Sequence, residues 1–396
     1  MKIGNNNYLS VINKMTISQR KDGRYEGRIT INGKRKGFYG STKTEVKNKA
    51  KEYLLEIVAN DFVPSNKITL NDYAIHWLEH YKKNKIQPSS YSRLCTTFYK
   101  QIMPTIGKMK VYDITTKNIQ ELIDDFANPK DHKNALALSG LKKVVNFLHP
   151  CLERAVDEKI IAKNPCVNIM YPQQDCIQKQ TKVQTAMSDK ELQLFKNTAL
   201  SKYKNGRQKS RDWLILLLIL NTGVRVGEMI ALKWTDIDLV NNTMRINKTL
   251  QNYKEYESAT EITYYSRIRE STKTSNGVRY IPLNDQCKEY IKSLKQYDNE
   301  EHIVSDYIAC TRKGTRSTSR NLQRSLDRLT KEAKITTHIS LHTLRHSFGS
   351  TLLRRHVDIA VISKLMGHAN ITITYNKYIH VIQEEQAKAM KMVNIC

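Results

Sequence analysis

A chain of 396 residues has room for two or three domains. Its 65 Lys and Arg outnumber 38 Asp and Glu, and a formal net charge of +27 points to a polyanionic partner, nucleic acid before any other. Hydrophobic residues make up 40%, which excludes global disorder, while the longest apolar run, Trp213 to Leu220, is too short to span a bilayer. No signal peptide is visible, because Met1-Lys2-Ile3-Gly4 leads into polar Asn5-Asn6-Asn7. Seven scattered cysteines without a CxxC pair argue against a disulfide scaffold and a zinc site, and fit a reducing, cytoplasmic setting.

Residues 1–62 are expected to form a three-stranded sheet followed by a helix. Asp22-Gly23 and Asn32-Gly33 are hairpin-turn dipeptides. Between them Arg24, Glu26, Arg28 and Thr30 alternate with Tyr25, Gly27, Ile29 and Ile31, one polar face against one apolar face. Thr42-Lys43-Thr44-Glu45 reads as a capping box opening a helix to about Ala59. The polar face keeps Arg20, Arg24 and Arg28, with Lys34, Arg35 and Lys36 beyond the second turn. A sheet of that width fits a DNA major groove; the bland alternative is a solvated basic sheet.

Pro64-Ser65-Asn66 reads as a linker, and residues 67–172 as a helical domain. Ile75, Leu78 and Tyr81 share a face of its first helix, and Gln87-Pro88-Ser89-Ser90 starts the second. Thr115 or Thr116 begins a third, and Ser139 is expected to cap a fourth that Pro150 kinks or breaks. Residues 171–184 are polar and aperiodic, a second linker. Ser188-Asp189-Lys190-Glu191 is another capping box and opens the third domain, 185–396. Turns at Val240–Asn242 and Ser275–Gly277 and a strand at Val278–Leu283 interrupt its helices.

The third domain carries the chemistry. Arg225 follows Gly223 at the corner between an apolar helix and a second helix starting near Val226, and its guanidinium fork matches two phosphate oxygens. Lys273 lies beside the Asn276-Gly277 turn. His342 and Arg345 are three apart on a helix and share a face, so one can manage protons while the other holds a phosphate oxygen. His342 and His346 lack an HExxH pattern or a nearby cysteine pair, and no metal site is expected. His368 follows Gly367 at the end of a helix that starts near Asp358. Tyr378 comes ten residues later in a short segment, Ile371 to Val381, with Tyr375 as the rival nucleophile.

In this order and spacing the residues resemble the tyrosine recombinase (phage-integrase) family: Arg, Lys, His-x-x-Arg, His or Trp, then Tyr. The strings TGVRVGE, LHTLRHSF, LMGH and YIHV sit where the family has them. The resemblance implies a multidomain, mainly α fold with small β-sheets: an arm-type DNA-binding domain (1–62), a SAM-like core-binding domain (67–172) and an α+β catalytic domain (185–396). The N-terminal sheet looks like that of integrases from conjugative transposons and related integrative elements.

The family mechanism then implies roles. Arg225 and Arg345 clamp the scissile phosphate, and Tyr378 attacks phosphorus to give a 3′-phosphotyrosyl bond and a free 5′-hydroxyl. His342 manages protons, Lys273 is the general acid and His368 bonds a phosphate oxygen. Glu228 is read as structural. No metal, ATP or other cofactor is implied. The implied partners are double-stranded DNA (element ends, circular intermediate and target site), a homotetramer, an excisionase and a host DNA-bending protein, in the bacterial cytoplasm at the nucleoid. The alternatives are a type IB topoisomerase-like enzyme, a non-catalytic DNA-binding protein and, behind these, a metal-dependent nuclease.

Between the strand near Met244–Thr249 and Lys273 lie more residues than a minimal family hairpin needs, among them Tyr253, Tyr256, Tyr264, Tyr265, Arg267 and Arg269. They form either a surface excursion or an inserted β-element that touches DNA or a neighbouring subunit, and they make Lys254 a distant second candidate for the lysine. The tail Ile382–Cys396 is either an amphipathic helix that docks on another subunit or a segment packed on its own domain.

Overall fold

The computed structural model describes residues 15–31, 34–60, 68–130, 135–180, 186–270 and 278–392. Two compact units result, 1–181 with 253–264, and 182–252 with 265–396.

The first unit opens on a sheet of order β1 (Ile17–Gln19), β2 (Tyr25–Ile31) and β3 (Lys34–Gly40), all antiparallel. Helix α1 (Lys43–Asn60) covers one face, where Met15, Ile29, Phe38, Val46 and Ala50 are buried. The cap is shared: Glu45 N–H donates to Thr42 Oγ1, but the Glu45 carboxylate reaches back to Ser41 rather than Thr42. On the other face Arg20 and Arg28 pair with Glu26, and Arg24 with Asp22. Strand parity corrects one expectation. Lys36 pairs with Ile29 and lies over the Tyr53 ring of α1, so it belongs to the helix-covered face, whereas Arg35 is exposed opposite Thr30. The Asn32-Gly33 turn and the 64–66 linker lie outside the described residues.

Helices α2 (Leu70–Trp77), α3 (Pro88–Thr97), α4 (Thr116–Ala127) and α5 (Leu138–Asp157) complete this unit; α2 and α3 each run on into a turn of π-helix, Leu78–Lys82 and Phe98–Ile102. Thr115 caps α4 reciprocally with Asn118. Two expectations for α5 fail. Its N-cap is Ala137, not Ser139, because Leu136 and Leu138 pack on the core and draw the helix start forward. Pro150 does not break the helix, which runs on to Asp157. The bond it removes is offset by burial of Phe147, Leu148, Cys151 and Leu152 on both sides of it. The expected second linker is not free at its start, since Ile177 is buried in this core and Gln178 N–H donates to Ala127 O. Residues 253–264 join the same unit: the Tyr256 hydroxyl lies 2.8 Å from Thr96 Oγ1 and its ring stacks on Tyr99.

The second unit is built around α7 (Arg211–Thr222), in which Trp213 to Ile219 are all buried. Around it pack α6 (Asp189–Ala199), α9 (Asp285–Glu300), α10 (Ser319–Glu332) and α11 (Leu341–Arg354). Buried Arg211 at the start of α7 forms a bidentate pair with Asp298 of α9. A small antiparallel sheet, order β4 (Ile237–Asp238), β5 (Thr243–Ile246) and β8 (Arg279–Pro282), flanks the core. The extra tyrosine-rich residues form a two-stranded ribbon, β6 (Lys248–Tyr256) and β7 (Ile262–Glu270), which makes them a β-element. Helices α8 (Val226–Ala231), α12 (Ile359–Met366) and α13 (Ile371–Met392) complete the unit. The expected short Ile371–Val381 segment is the start of a 22-residue helix that runs into the tail.

Candidate active site

Two left-handed glycines set the corners of the site. Gly223 (φ +64°) ends α7, and its α-carbon faces Phe348 so closely that a Cβ would lie 2.2 Å from the ring. The next turn places Arg225 as the N-cap of α8, where its backbone N–H donates to Glu228 Oε2 and its Nη1 to Glu228 Oε1. Gly367 (φ +64°) ends α12 and delivers His368. Both corners need the positive φ that a side chain disfavours.

Arg345 ties the corners together. It projects from α11, is 2% exposed, and donates through Nη1 to Gly223 O (2.5 Å) and through Nη2 to Met366 O (2.7 Å). Arg225 Nη2 reaches Gly367 O at 2.9 Å. Arg225 and Arg345 therefore hold adjacent carbonyls of one turn, 366 and 367. Burial, then the nearby Arg225 charge, pushes Arg345 down to about 9, still cationic at neutral pH.

The histidines stand beside this pair. His368 Nδ1 is 2.7 Å from Thr374 Oγ1, which fixes its ring. His342, on the same helix as Arg345, has Nε2 at 2.7 Å from Lys377 Nζ. Burial, with the positive neighbours adding to it, pushes both imidazoles down to about 4, so both are neutral near pH 7. Burial and then Arg345 and Arg225 also lower Lys377.

Tyr378 is 1% exposed, against 45% for its rival Tyr375, which faces outward on α13. The Tyr378 ring stacks on His346 at 4.9 Å between centroids, and Oη donates to Met366 Sδ at 3.4 Å. Gly349 lies beneath it: a Cβ there would come within 2.2 Å of Oη. Burial raises the phenol to about 12, and the Arg345 charge opposes the rise.

Arg225, His342, Arg345, His368 and Tyr378 thus converge from four elements. Lys273 lies outside the described residues, and Lys254 belongs to the first unit. Among the described residues no group of three His, Cys, Asp or Glu side chains is arranged to hold a metal, and no helix is long and apolar enough to cross a membrane. Reading the sequence missed Arg279, Lys377 and the His346–Gly349–Met366 enclosure. Lys377 carried a signal, its place one residue before the tyrosine. Gly349 carried a fainter one, a small residue one turn after Arg345.

The phage integrase family model matches residues 187–385, and the model of its N-terminal SAM-like domain matches 69–127. A "Tyrosine recombinase XerC-like" protein of Caldanaerobacter subterraneus subsp. tengcongensis is 28% identical over 397 residues, covering 94% of this chain and 97% of that protein. The tyrosine recombinase XerC of Staphylococcus saprophyticus is 26% identical over 236 residues, 59% of this chain and 67% of its own length. Among solved structures, the Tn1549 transposon integrase in complex with transposon right end DNA superposes with a TM-score of 0.62 at 18% identity, covering 81% of this chain and 99% of that one. A lambda integrase tetramer bound to a Holliday junction gives 0.56 at 17%, covering 90% and 96%. These two likenesses are of fold.

Proposed function

This chain belongs to the phage integrase family and is a tyrosine recombinase, an enzyme that breaks and rejoins DNA, and we propose that it integrates and excises a mobile element through a 3′-phosphotyrosine intermediate, strand exchange and Holliday junction resolution. One observation carries the reading: two guanidiniums of elements far apart in sequence converge on the turn that presents His368, with a buried tyrosine behind them.

Arg225 and Arg345 take the two non-bridging oxygens of the scissile phosphate and neutralise the charge that grows in the pentavalent transition state. Tyr378 Oη attacks phosphorus, the 5′-oxygen leaves and the phenolic proton is lost. Neutral His342, whose Nε2 lies 2.7 Å from Lys377 Nζ, is suited to manage that proton. His368 donates to a phosphate oxygen, and Lys273 protonates the leaving 5′-oxygen. The ester energy is kept in the protein–DNA bond, so strand joining is the reverse attack by a 5′-hydroxyl and consumes neither ATP nor metal. Attack requires Oη to leave the enclosure of Gly349 and Met366, so cleavage waits on a shift of α13.

Double-stranded DNA is the substrate: element ends, circular intermediate and target site. The N-terminal sheet binds arm-type DNA through Arg20, Arg24, Arg28 and Arg35, with Lys34 and Lys36 at the other parity of β3, and the 67–172 domain grips the crossover site. A homotetramer assembles on two sites, with an excisionase and a host bending protein setting direction, in the bacterial cytoplasm.

The test is a nicked suicide duplex carrying the end of the element that bears the gene, incubated in EDTA without ATP and resolved on a denaturing gel. A slow covalent band is expected for wild type and Tyr375→Phe and absent for Tyr378→Phe. A band that persists in Tyr378→Phe overturns the nucleophile, and a wild type without any band on true ends overturns the catalytic reading in favour of a non-catalytic DNA-binding protein. Relaxation of supercoils without recombinant product would favour the topoisomerase-like alternative.

A further inference from the structure

Arg279 lies on β8, outside every residue the recombinase reading uses, yet its guanidinium donates three hydrogen bonds within the site. Nη1 donates to Glu228 Oε1 at 3.0 Å, Nη2 to Glu228 Oε2 at 2.7 Å and Nε to Leu365 O at 3.0 Å. With Arg345 on Met366 O and Arg225 on Gly367 O, three arginines hold three successive carbonyls at the end of α12. Cations are favoured there, where the helix leaves its carbonyls unpaired and negative. Arg279 also lies flat on Gly367, where a Cβ would stand 2.8 Å from Nη1 and 3.0 Å from Cζ.

The carboxylate between the two arginines is the second half of the argument. Glu228, its side chain 8% exposed, accepts four hydrogen bonds, two from Arg225 and two from Arg279. The trio carries two positive charges and one negative. With Arg279 present, the carboxylate is shared between two guanidiniums and the trio keeps a net positive charge. Without it, a buried anion would have Arg225 as its one guanidinium partner in this trio, and an incoming phosphate would compete with Glu228 for that fork.

We propose that Arg279 is a positioning residue for the recombination reaction: it takes up the Glu228 carboxylate so that Arg225 stays available to the scissile phosphate, and it pins the Leu365–Gly367 turn that presents His368. The inference rests on the recombinase reading above. It predicts a charge-balance effect that a merely structural residue does not show, since removing the carboxylate as well should restore what losing Arg279 destroys.

The full-length protein is compared as wild type, Arg279→Met, Arg279→Lys and the double variant Arg279→Met/Glu228→Gln. The readouts are single-turnover covalent-complex formation on the suicide duplex and, without DNA, amide exchange of peptides spanning 359–370. Cleavage in Arg279→Met should fall about 100-fold, the scale of losing one pre-organised charge at a reacting phosphate. DNA affinity in a gel shift should stay close to wild type. Arg279→Lys, which keeps the charge and loses the fork, should fall in between. The double variant should recover about 10-fold over Arg279→Met. Amides of 359–370 should exchange faster in Arg279→Met, while those of α7 stay protected and show that the fold holds. Wild-type cleavage by Arg279→Met, or a double variant no faster than the single, overturns the inference while the wild-type band leaves the recombinase reading standing. If wild type gives no band, amide exchange decides: unchanged exchange at 359–370 in Arg279→Met overturns the inference on its own.

Discussion

Arg345→Met should separate stability from catalysis. The side chain is 2% exposed and holds the carbonyls of Gly223 and Met366. Truncating a buried charged partner ordinarily costs about 3–5 kcal/mol. Here the cation itself is held against burial and the Arg225 charge, which push it down from 12.5 to about 9. A fall of that size corresponds to roughly 5 kcal/mol of unfavourable free energy in the charged form. Against it stand two charge-assisted hydrogen bonds, about 1.5–3 kcal/mol each. The opposing contributions nearly cancel, so Arg345→Met, which fills most of the same space, should change folding stability by less than about 2 kcal/mol in either direction. Cleavage should fall by about 100-fold or more, because the phosphate loses a pre-organised donor. Amide exchange of the α7 and α11 peptides as a function of urea gives the first quantity, and the suicide duplex the second. DNA should also raise the protection of α11 in wild type more than in the variant. A loss of more than about 3 kcal/mol in the DNA-free variant would mean that Arg345 is a structural strut first, and the charge argument would fall.

Three further outcomes follow from the same structure. Gly223→Ala forces a side chain into positive φ and places Cβ 2.2 Å from Phe348, and it should destabilise the second unit by about 2–5 kcal/mol, read as a lower urea midpoint for α7 exchange. Asp298→Ala leaves buried Arg211 without its bidentate partner and should cost about 3–5 kcal/mol by the same measurement, with the suicide-duplex rate affected only through folding. Acid should also weaken the fold. His342 and His368 titrate at about 4 in the folded protein, burial being the first cause, and at about 6.5 when unfolded. The unfolded chain therefore binds more protons between those values. Stability is complete above the upper one and declines as pH falls toward the lower one. The melting temperature should drop less between pH 7 and pH 4.5 in a His342→Gln/His368→Gln protein than in wild type, and equal drops would refute the assignment.

Much of the site was legible because its parts are anchored by local landmarks. Gly223 ends one helix and Arg225 caps the next; Ser340 caps α11 three residues before Thr343, which sets the face of His342 and Arg345; Gly367 closes α12 just before His368. Each landmark acts within a few residues, where capping and turn chemistry decide the backbone. What was not legible depends on distant pairing. Arg279 meets Glu228 across 51 positions, and no period or spacing announces which of the chain's many arginines will do so. Lys36 misled because a run of three basic residues reads as one patch, although a strand sends its neighbours to opposite faces. Ser139 and Pro150 misled for a related reason: local propensity favoured a cap and a break, and the core packing of Leu136, Leu138, Phe147 and Cys151 overrode both.

The charges of the site imply what it lacks. Arg225, Arg279, Arg345 and Lys377 are gathered with one carboxylate, Glu228, and with two neutral imidazoles. Lys377 and Arg345 are both lowered, first by burial and then by positive neighbours that Glu228 opposes at Arg345, an excess of positive charge that a further anion would relieve. A phosphodiester entering between Arg225 and Arg345 would supply that anion and raise both groups toward their ordinary values. Meanwhile the phenol of Tyr378 stays neutral, raised to about 12 in a desolvated enclosure with a thioether as its hydrogen-bond partner. An exposed tyrosine beside two arginines would be deprotonated more readily with no DNA to attack. On the recombinase reading, holding it against Gly349 would keep the phenol inert until the phosphate arrives, so the cationic cluster and the closed phenol would serve one end. Tyr378 ultraviolet titration should accordingly give a value well above 10 in free protein and a lower one in the presence of a noncleavable duplex; equal values in both states would break the link between phosphate capture and release of the tyrosine.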